Sequence, residues 1–271
     1  MQKRHQDRQL YFNEQSQTTR KYVIPYIRKH KSIGLGTRVL EIGCGEGGNI
    51  PPFLEAGCSV VGIDLSRPQV DRAREFLADQ PQRDQLSLIV QDIYEVDHQA
   101  LGTFDLIIMR DVIEHIPDQE RFMDFLKPFL KTDGLIFFGF PPWYMPFGGH
   151  QQGCRNKYLS VLPWYHLLPT SIYRRVLRAG GESEGKIEHL LANKRTGISI
   201  ERFQRILRKL NYQTIDRTLY LFNPNYEVKF KLKPIVQLPI LRNAIFIRNF
   251  YTTCAYYLVG HPDLPKLPAG R

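Results

Sequence analysis

Apolar runs of strand length punctuate the first half of the chain, and amphipathic stretches of helical length separate them. The runs cover residues 37–43, 59–65, 86–93, 104–112 and 134–140, the last closed by Pro141 and Pro142. Residues 67–79 carry helical spacing with Pro68 in the first turn, where a missing N–H is tolerated. Residues 118–131 read as a helix despite Pro128 near its end. Such apolar runs with helices between them predict βαβ units and a parallel sheet buried on both faces.

Residues 143–198 break the pattern, being rich in Trp, Tyr, Pro, Gly and basic residues with a helical piece at 171–178. Regularity returns at Ser199, a predicted N-cap for a helix over 200–210. Strands are expected at 212–222 and 252–259, the second stopped by Gly260, with a further interruption at 223–250. At the N-terminus, residues 7–30 read as helical up to Pro25. The expected architecture is α/β: seven mostly parallel strands with helices on both faces and insertions after strands five and six. Its parts are a helical cover segment at 1–36, a core at 37–142 and an aromatic, basic cap at 143–198. Residues 199–271 complete the sheet.

The first run enters a turn, Glu41-Ile42-Gly43-Cys44-Gly45-Glu46-Gly47-Gly48, in which glycines allow a sharp bend and close approach of a ligand. Taken alone, the spacing of Gly43, Gly45 and Gly48 also satisfies the dinucleotide fingerprint. The context is more specific. The second run ends in Asp64, where a carboxylate can accept hydrogen bonds from ribose hydroxyls, and the third ends in Asp92, within reach of an adenine amino group. The fourth ends Met109-Arg110-Asp111-Val112-Ile113-Glu114-His115-Ile116-Pro117-Asp118. A pyrophosphate would sit poorly beside Glu41 and Glu46, whereas a sulfonium and an ammonium would not.

These residues, in this order over roughly residues 37–140, resemble the class I S-adenosylmethionine-dependent methyltransferases with their Rossmann-like fold. The likeness is strongest to the subgroup containing the ubiquinone- and menaquinone-biosynthesis methyltransferases. The resemblance implies S-adenosyl-L-methionine as cofactor and S-adenosyl-L-homocysteine as product. It implies that Glu41 and the loop Gly43, Cys44, Gly45 and Gly47 hold the methionine part. Asp64 with Leu65 would bind the ribose, and Asp92 with Ile93 the adenine. Met109 and Arg110 would line the site beneath the sulfonium, and Tyr11 or Tyr22 of the N-terminal segment could cover the cofactor.

Composition narrows the remaining choices. The apolar share of 42% suits a protein with a core, and no run of 18 or more apolar residues occurs. The charged N-terminus lacks an apolar signal core, so a cytoplasmic protein is expected. Cys44, Cys58, Cys154 and Cys254 are widely spread, as reduced thiols would be, and no cluster of metal ligands is evident. The net charge of +10 is uneven: residues 32–150 hold 9 Lys/Arg against 18 Asp/Glu, and residues 151–271 hold 20 against 7. Basic ends around an acidic core are compatible with a phosphate-bearing substrate, an anionic membrane or nucleic acid.

For the chemistry, His115 follows the fourth strand and His150 sits in a glycine-bearing loop after the fifth. Both are candidates for a proton acceptor in methyl transfer or for shaping the site, with Gln151 as a polar contact and His166 a weaker candidate. Pro141-Pro142-Trp143-Tyr144 resembles an amine-methylation motif but follows the wrong strand and lacks the preceding polar residue. Trp143, Tyr144, Phe147, Tyr158, Trp164, Tyr165 and Tyr173 would cap a ring-shaped or apolar substrate or form the cap's own core. Residues 226–250 mix lysines and arginines with apolar residues, as a membrane-touching segment would. The expected function is methyl transfer to an oxygen or carbon of a small aromatic or lipid-like acceptor. The alternatives are an RNA methyltransferase and a non-catalytic binding protein on the same fold.

Overall fold

A computed structural model of the chain describes residues 7–264. Helix α1 (Arg8–Thr18) starts where Asp7 accepts the Leu10 N–H at 2.9 Å. It does not stop at Pro25. The chain widens into a π-helical turn at Thr19–Val23 and continues as α2 (Ile24–Arg28), with Pro25 in its first turn. There the proline's missing donor is one that a helix start leaves unpaired anyway.

The sheet then begins with β1 (Arg38–Ile42), α3 (Pro51–Glu55), β2 (Ser59–Asp64), α4 (Arg67–Phe76) and β3 (Leu86–Val90). It continues with α5 (His98–Leu101), β4 (Phe104–Arg110), α6 (Gln119–Phe125) and β5 (Leu130–Phe140). Helix α6 is shorter than the sequence pattern suggests. Asp118 caps it by accepting the Arg121 N–H at 3.1 Å, and Pro128 turns the chain into a 3-10 turn at Lys127–Phe129. Strand β5 accordingly starts earlier than expected, pairing Leu130 with Phe104 before the register shifts to Leu135 with Leu106.

Three short helices follow, α7 (Lys157–Val161), α8 (Thr170–Ala179) and α9 (Glu184–Thr196), around a small core of their own. Helix α10 (Ile200–Lys209) returns to the sheet, capped as expected by Ser199, whose Oγ accepts the Arg202 N–H at 3.1 Å. Then come β6 (Gln213–Phe222), α11 (Asn225–Phe230), β7 (Ile235–Val236), α12 (Pro239–Asn243), α13 (Ile247–Phe250) and β8 (Cys254–Gly260).

The strand order is β3-β2-β1-β4-β5-β8-β6-β7, so among the described residues eight strands replace the expected seven. The addition is β7, two residues paired antiparallel to Tyr220 and Phe222, too short to leave any alternation in the sequence. Strands β1 to β5 are mutually parallel, and β8 runs antiparallel between β5 and β6. Period-two alternation sends β8 side chains into two cores. Tyr256 meets Phe137 and Tyr26 on the face covered by α1 to α4, while Tyr257 meets Phe203 of α10 on the other. The order reverses at β1, whose neighbours β2 and β4 lead outward in opposite directions, leaving a crevice at the carboxyl ends of the strands.

Candidate functional site

A cavity of about 530 Å³ occupies that crevice. It is formed by the turn after β1 and by the strand ends of β2, β3 and β4. Gly43, Asp64, Leu65, Gln69, Asp92 and Ile93 line one part, and Asp111, Val112, His115 and Ile116 another. The turn depends on glycine at Gly43, which has φ +68° and would carry a Cβ 2.6 Å from Cγ2 of Val112. It folds back onto β2, because Gly45 N–H donates to one oxygen of Asp64 at 2.8 Å and Ser66 N–H to the other at 2.8 Å. Asp64 is thereby fixed with lone pairs left for a ligand. Asp92 is held through the Tyr94 N–H at 3.0 Å.

Glu41 lies beneath the turn, almost fully buried. Asn49 Nδ2 donates to its Oε1 at 2.7 Å, and Oε2 has no hydrogen-bond partner among the described residues. Burial pushes this carboxyl up to about 8 against the pull of Asn49 and Arg110. Arg110 is buried as well, donating to Asn49 Oδ1 at 2.9 Å, to the Thr19 hydroxyl at 3.3 Å and to the Gln15 carbonyl at 3.4 Å. This knot of Glu41, Asn49, Arg110 and Thr19 ties the N-terminal helix to the glycine turn. Tyr11 on α1 is held near Arg110, Asp111 and Glu46, and its phenol is pushed up to about 12, chiefly by burial. Tyr22 instead bonds Glu227 of α11 and does not reach the cavity.

Met109 does not line the cavity. It is fully buried in the core, because alternate β4 positions face opposite sides of the sheet and Met109 points away from Arg110. Arg110 does not line the cavity either and is tied up by Gln15, Thr19 and Asn49, and Cys44 is a buried thiol that burial pushes up.

The two histidines come together. His115 and His150 meet edge to face with ring centres 4.9 Å apart. His115 lines the large cavity, while His150 lies behind it in a small cleft with Glu114, Trp143 and Asn193. Nδ1 of His115 lies 3.2 Å from Oδ1 of Asn193. With that oxygen as acceptor, Nδ1 carries the proton and Nε2 keeps its lone pair. Burial lowers the pKa of His115 and drives that of His150 down to about 3, neighbouring cationic groups adding to the latter shift. Both rings are therefore neutral near pH 7.

The loop carrying His150 is packed. A Cβ on Gly148 would sit 2.2 Å from the Trp143 carbonyl oxygen, and one on Gly149 2.4 Å from Cβ of His166. These glycines permit close approach rather than loop freedom. Gln151 is fully buried and donates to the Pro146 carbonyl at 3.0 Å, and His166 bonds the Trp143 carbonyl at 2.8 Å, so both serve this packing. Tyr165 and Tyr173 belong to the small helical core, and none of the seven aromatics of this region lines the large cavity.

Several site residues escape a reading by motif. Asp111 lines the cavity in a left-handed conformation, φ 56°. Asn193 orients His115 from α9, and Thr196 on the same helix donates to the Glu114 carbonyl at 2.6 Å. Glu114 is buried with neither carboxyl oxygen hydrogen-bonded among the described residues, its Oε1 4.0 Å from Nε2 of His115, and its pKa is raised by burial and by Asp111. Glu114, His115 and His150 offer one ligand atom each within 4.8 Å of one another. No motif announces this grouping, since residues 35 positions apart meet only in the fold.

A family model described as a methyltransferase domain matches residues 9–169, more than half of the chain. Among curated relatives, the ubiquinone biosynthesis O-methyltransferase of Actinobacillus pleuropneumoniae serotype 7 is 29% identical over 117 residues, covering 42% of this chain and 50% of that protein. The protein of that name from Rhizobium etli is 35% identical over 103 residues, covering 38% and 40%. The chain thus spans half or less of the length of these curated relatives.

Among solved structures, a putative sarcosine dimethylglycine methyltransferase from Galdieria sulphuraria superposes with TM-score 0.59 at 15% identity, covering 91% of this chain and 86% of that one. Magnesium protoporphyrin IX methyltransferase from Synechocystis PCC 6803, solved with bound S-adenosylhomocysteine, gives 0.52 at 15%, covering 92% and 84%. At such identities the structures share the fold. Together with the family match, the glycine turn, Asp64 and Asp92 at successive strand ends identify the chain as a member of the methyltransferase domain family.

Proposed function

We propose that S-adenosylmethionine, the cofactor of this methyltransferase, binds in the 530 Å³ cavity and that its methyl group passes to an oxygen or carbon of a small aromatic or lipid-like acceptor. The observation that carries this reading is the charge of the cavity. Asp64, Asp92 and Asp111 line it and, among the described residues, no Lys or Arg does. A cofactor bearing a sulfonium and an ammonium suits such a surface, and a dinucleotide pyrophosphate does not.

In this reading Asp64 accepts from the ribose hydroxyls and Asp92 with Ile93 takes the adenine. The cofactor's ammonium meets Glu41, whose second oxygen awaits a donor. The methyl group faces His115, whose Nε2, 4.0 Å from the Glu114 carboxyl, accepts a proton from a hydroxyl acceptor as the new bond forms. His150 supports the His115 ring, and residues 143–198 shape the acceptor's side of the site. Curated relatives named as ubiquinone biosynthesis O-methyltransferases support an oxygen nucleophile on a ring.

The test is transfer of a labelled methyl group to a panel of phenols, catechols and hydroxylated lipids, with tRNA as a further arm. Incorporation into a ring or lipid hydroxyl supports the reading, and incorporation into tRNA alone refutes it. A second reading rests on Glu114, His115 and His150, which could hold a divalent cation to bind the acceptor's oxygen. Loss of turnover on chelation, restored by added zinc or magnesium, would favour it.

A further inference from the structure

The segment joining β6 to β8 buries Gln237, Arg248 and Asn249 and exposes most of its large apolar side chains. Gln237 Nε2 donates to the Arg248 carbonyl at 2.9 Å and to the Thr252 hydroxyl at 2.7 Å. Asn249 accepts the Ile200 N–H at 2.9 Å and donates to Glu201 at 2.6 Å, and Arg248 Nε donates to Glu201 at 2.9 Å. These anchors fix the segment against α10. Its apolar side chains point outward: Ile240 is 85% exposed, Leu238 67% and Phe246 62%. Among the described residues, ten of the twenty-one exposed large apolar side chains lie between Phe230 and Tyr251, so the exposure is a patch rather than a scatter.

Charge indicates what the patch meets. Residues 223–250 carry five Lys or Arg against Glu227 alone. Beside the patch runs a groove of about 520 Å³ lined by Arg205, Arg208, Arg217 and Arg248, with Ile245 and Phe246 in its wall. Its one acid, Glu201, is engaged by Arg248 and Asn249. A second copy docked symmetrically would set these cations against their own kind. An anionic bilayer offers phosphates for the arginines and acyl chains for the apolar tips.

Position agrees with this. Strand β6 runs parallel to β5, since both pair antiparallel with β8, so the segment leaves the sheet at the edge where the cavity opens. Phe250 also lies 5.5 Å, ring to ring, from Tyr144 just after β5. Among the described residues no helix is long and apolar enough to cross a membrane. We propose that residues 230–251, with the adjoining arginine groove, form a docking surface for an anionic phospholipid bilayer.

The test is flotation of the full chain with vesicles of phosphatidylcholine, alone or doped with phosphatidylglycerol. The wild type is expected to float with the anionic vesicles, and less so as salt rises. Ile240→Asp/Phe246→Asp and, separately, Arg205→Gln/Arg208→Gln should each reduce bound protein by roughly tenfold at unchanged melting temperature. Ile240→Leu/Phe246→Leu should bind as wild type does, which separates loss of docking from loss of folding. Wild type remaining in solution with anionic vesicles would overturn the proposal. So would variants that float undiminished, or a dimer abolished by Ile240→Asp/Phe246→Asp in a chain that ignores vesicles.

Discussion

Asn49 donates to one carboxyl oxygen of Glu41 at 2.7 Å, and the other oxygen, buried in the same spot, has no hydrogen-bond partner among the described residues. A carboxyl so placed holds its proton up to about pH 8. The unfolded chain loses that proton near 4.5, so between these values the folded state holds a proton the unfolded state lacks. Its contribution therefore makes the ligand-free protein less stable as pH rises from about 4.5 to about 8. Glu41→Gln should flatten this slope, as read from melting temperatures across the range.

An arriving ammonium reverses the balance at Glu41. Binding of S-adenosylhomocysteine at pH 7 should release a proton, visible as a buffer-dependent calorimetric enthalpy. Affinity should rise with pH up to about 8, by at most about tenfold per unit. Glu41→Gln should abolish both effects. A slope that survives the substitution would separate Glu41 from the ammonium.

Gly43→Ala should lower stability by about 1–3 kcal/mol, since it puts a Cβ at φ +68° and against Val112. Adding Val112→Ala should recover part of that loss, because it removes the contact and leaves the backbone strain. Thermal melts of the single and double variants check this, and full recovery would make the dihedral unimportant.

Arg110 fastens α1 to the turn through Gln15, Thr19 and Asn49. Arg110→Met should cost about 1–3 kcal/mol and speed amide exchange across Arg8–Thr18 more than across β1. Uniform acceleration over the whole chain would mean that the arginine supports the core generally.

His115→Ala should lower kcat by about a hundredfold while leaving S-adenosylhomocysteine affinity nearly unchanged. His150 lies behind His115 and outside the large cavity, so His150→Ala should cost less. Equal and small effects would argue for an acceptor that needs alignment only.

The parts of this site legible from the sequence are those built from neighbours in the chain. A glycine turn after a strand, with acids at the ends of the next two strands, is written in contiguous residues, as Gly43, Asp64 and Asp92 illustrate. The polar knot is different. Thr19, Asn49 and Arg110 lie 30 to 91 positions apart and meet only when α1 crosses the turn. A motif gives the position of Met109 along β4 but not which face it takes, and in the fold its side chain is buried in the core. The glycines beside His150 suggest freedom in sequence, whereas in the fold they let Trp143 and His166 approach. Strand β7 is two residues of an irregular segment, and no period can announce it.

In the proposed function the acidic cavity at the carboxyl ends of the strands binds the methyl donor through Asp64. Calorimetric titration of the full chain with S-adenosylmethionine and S-adenosylhomocysteine, wild type against Asp64→Ala, tests it most directly. The account predicts micromolar binding of both, weakened by about 1.5–3 kcal/mol in the variant, as expected for hydrogen bonds to a charged group. Binding of NADH in their place, or affinity for both indifferent to Asp64→Ala, would contradict it.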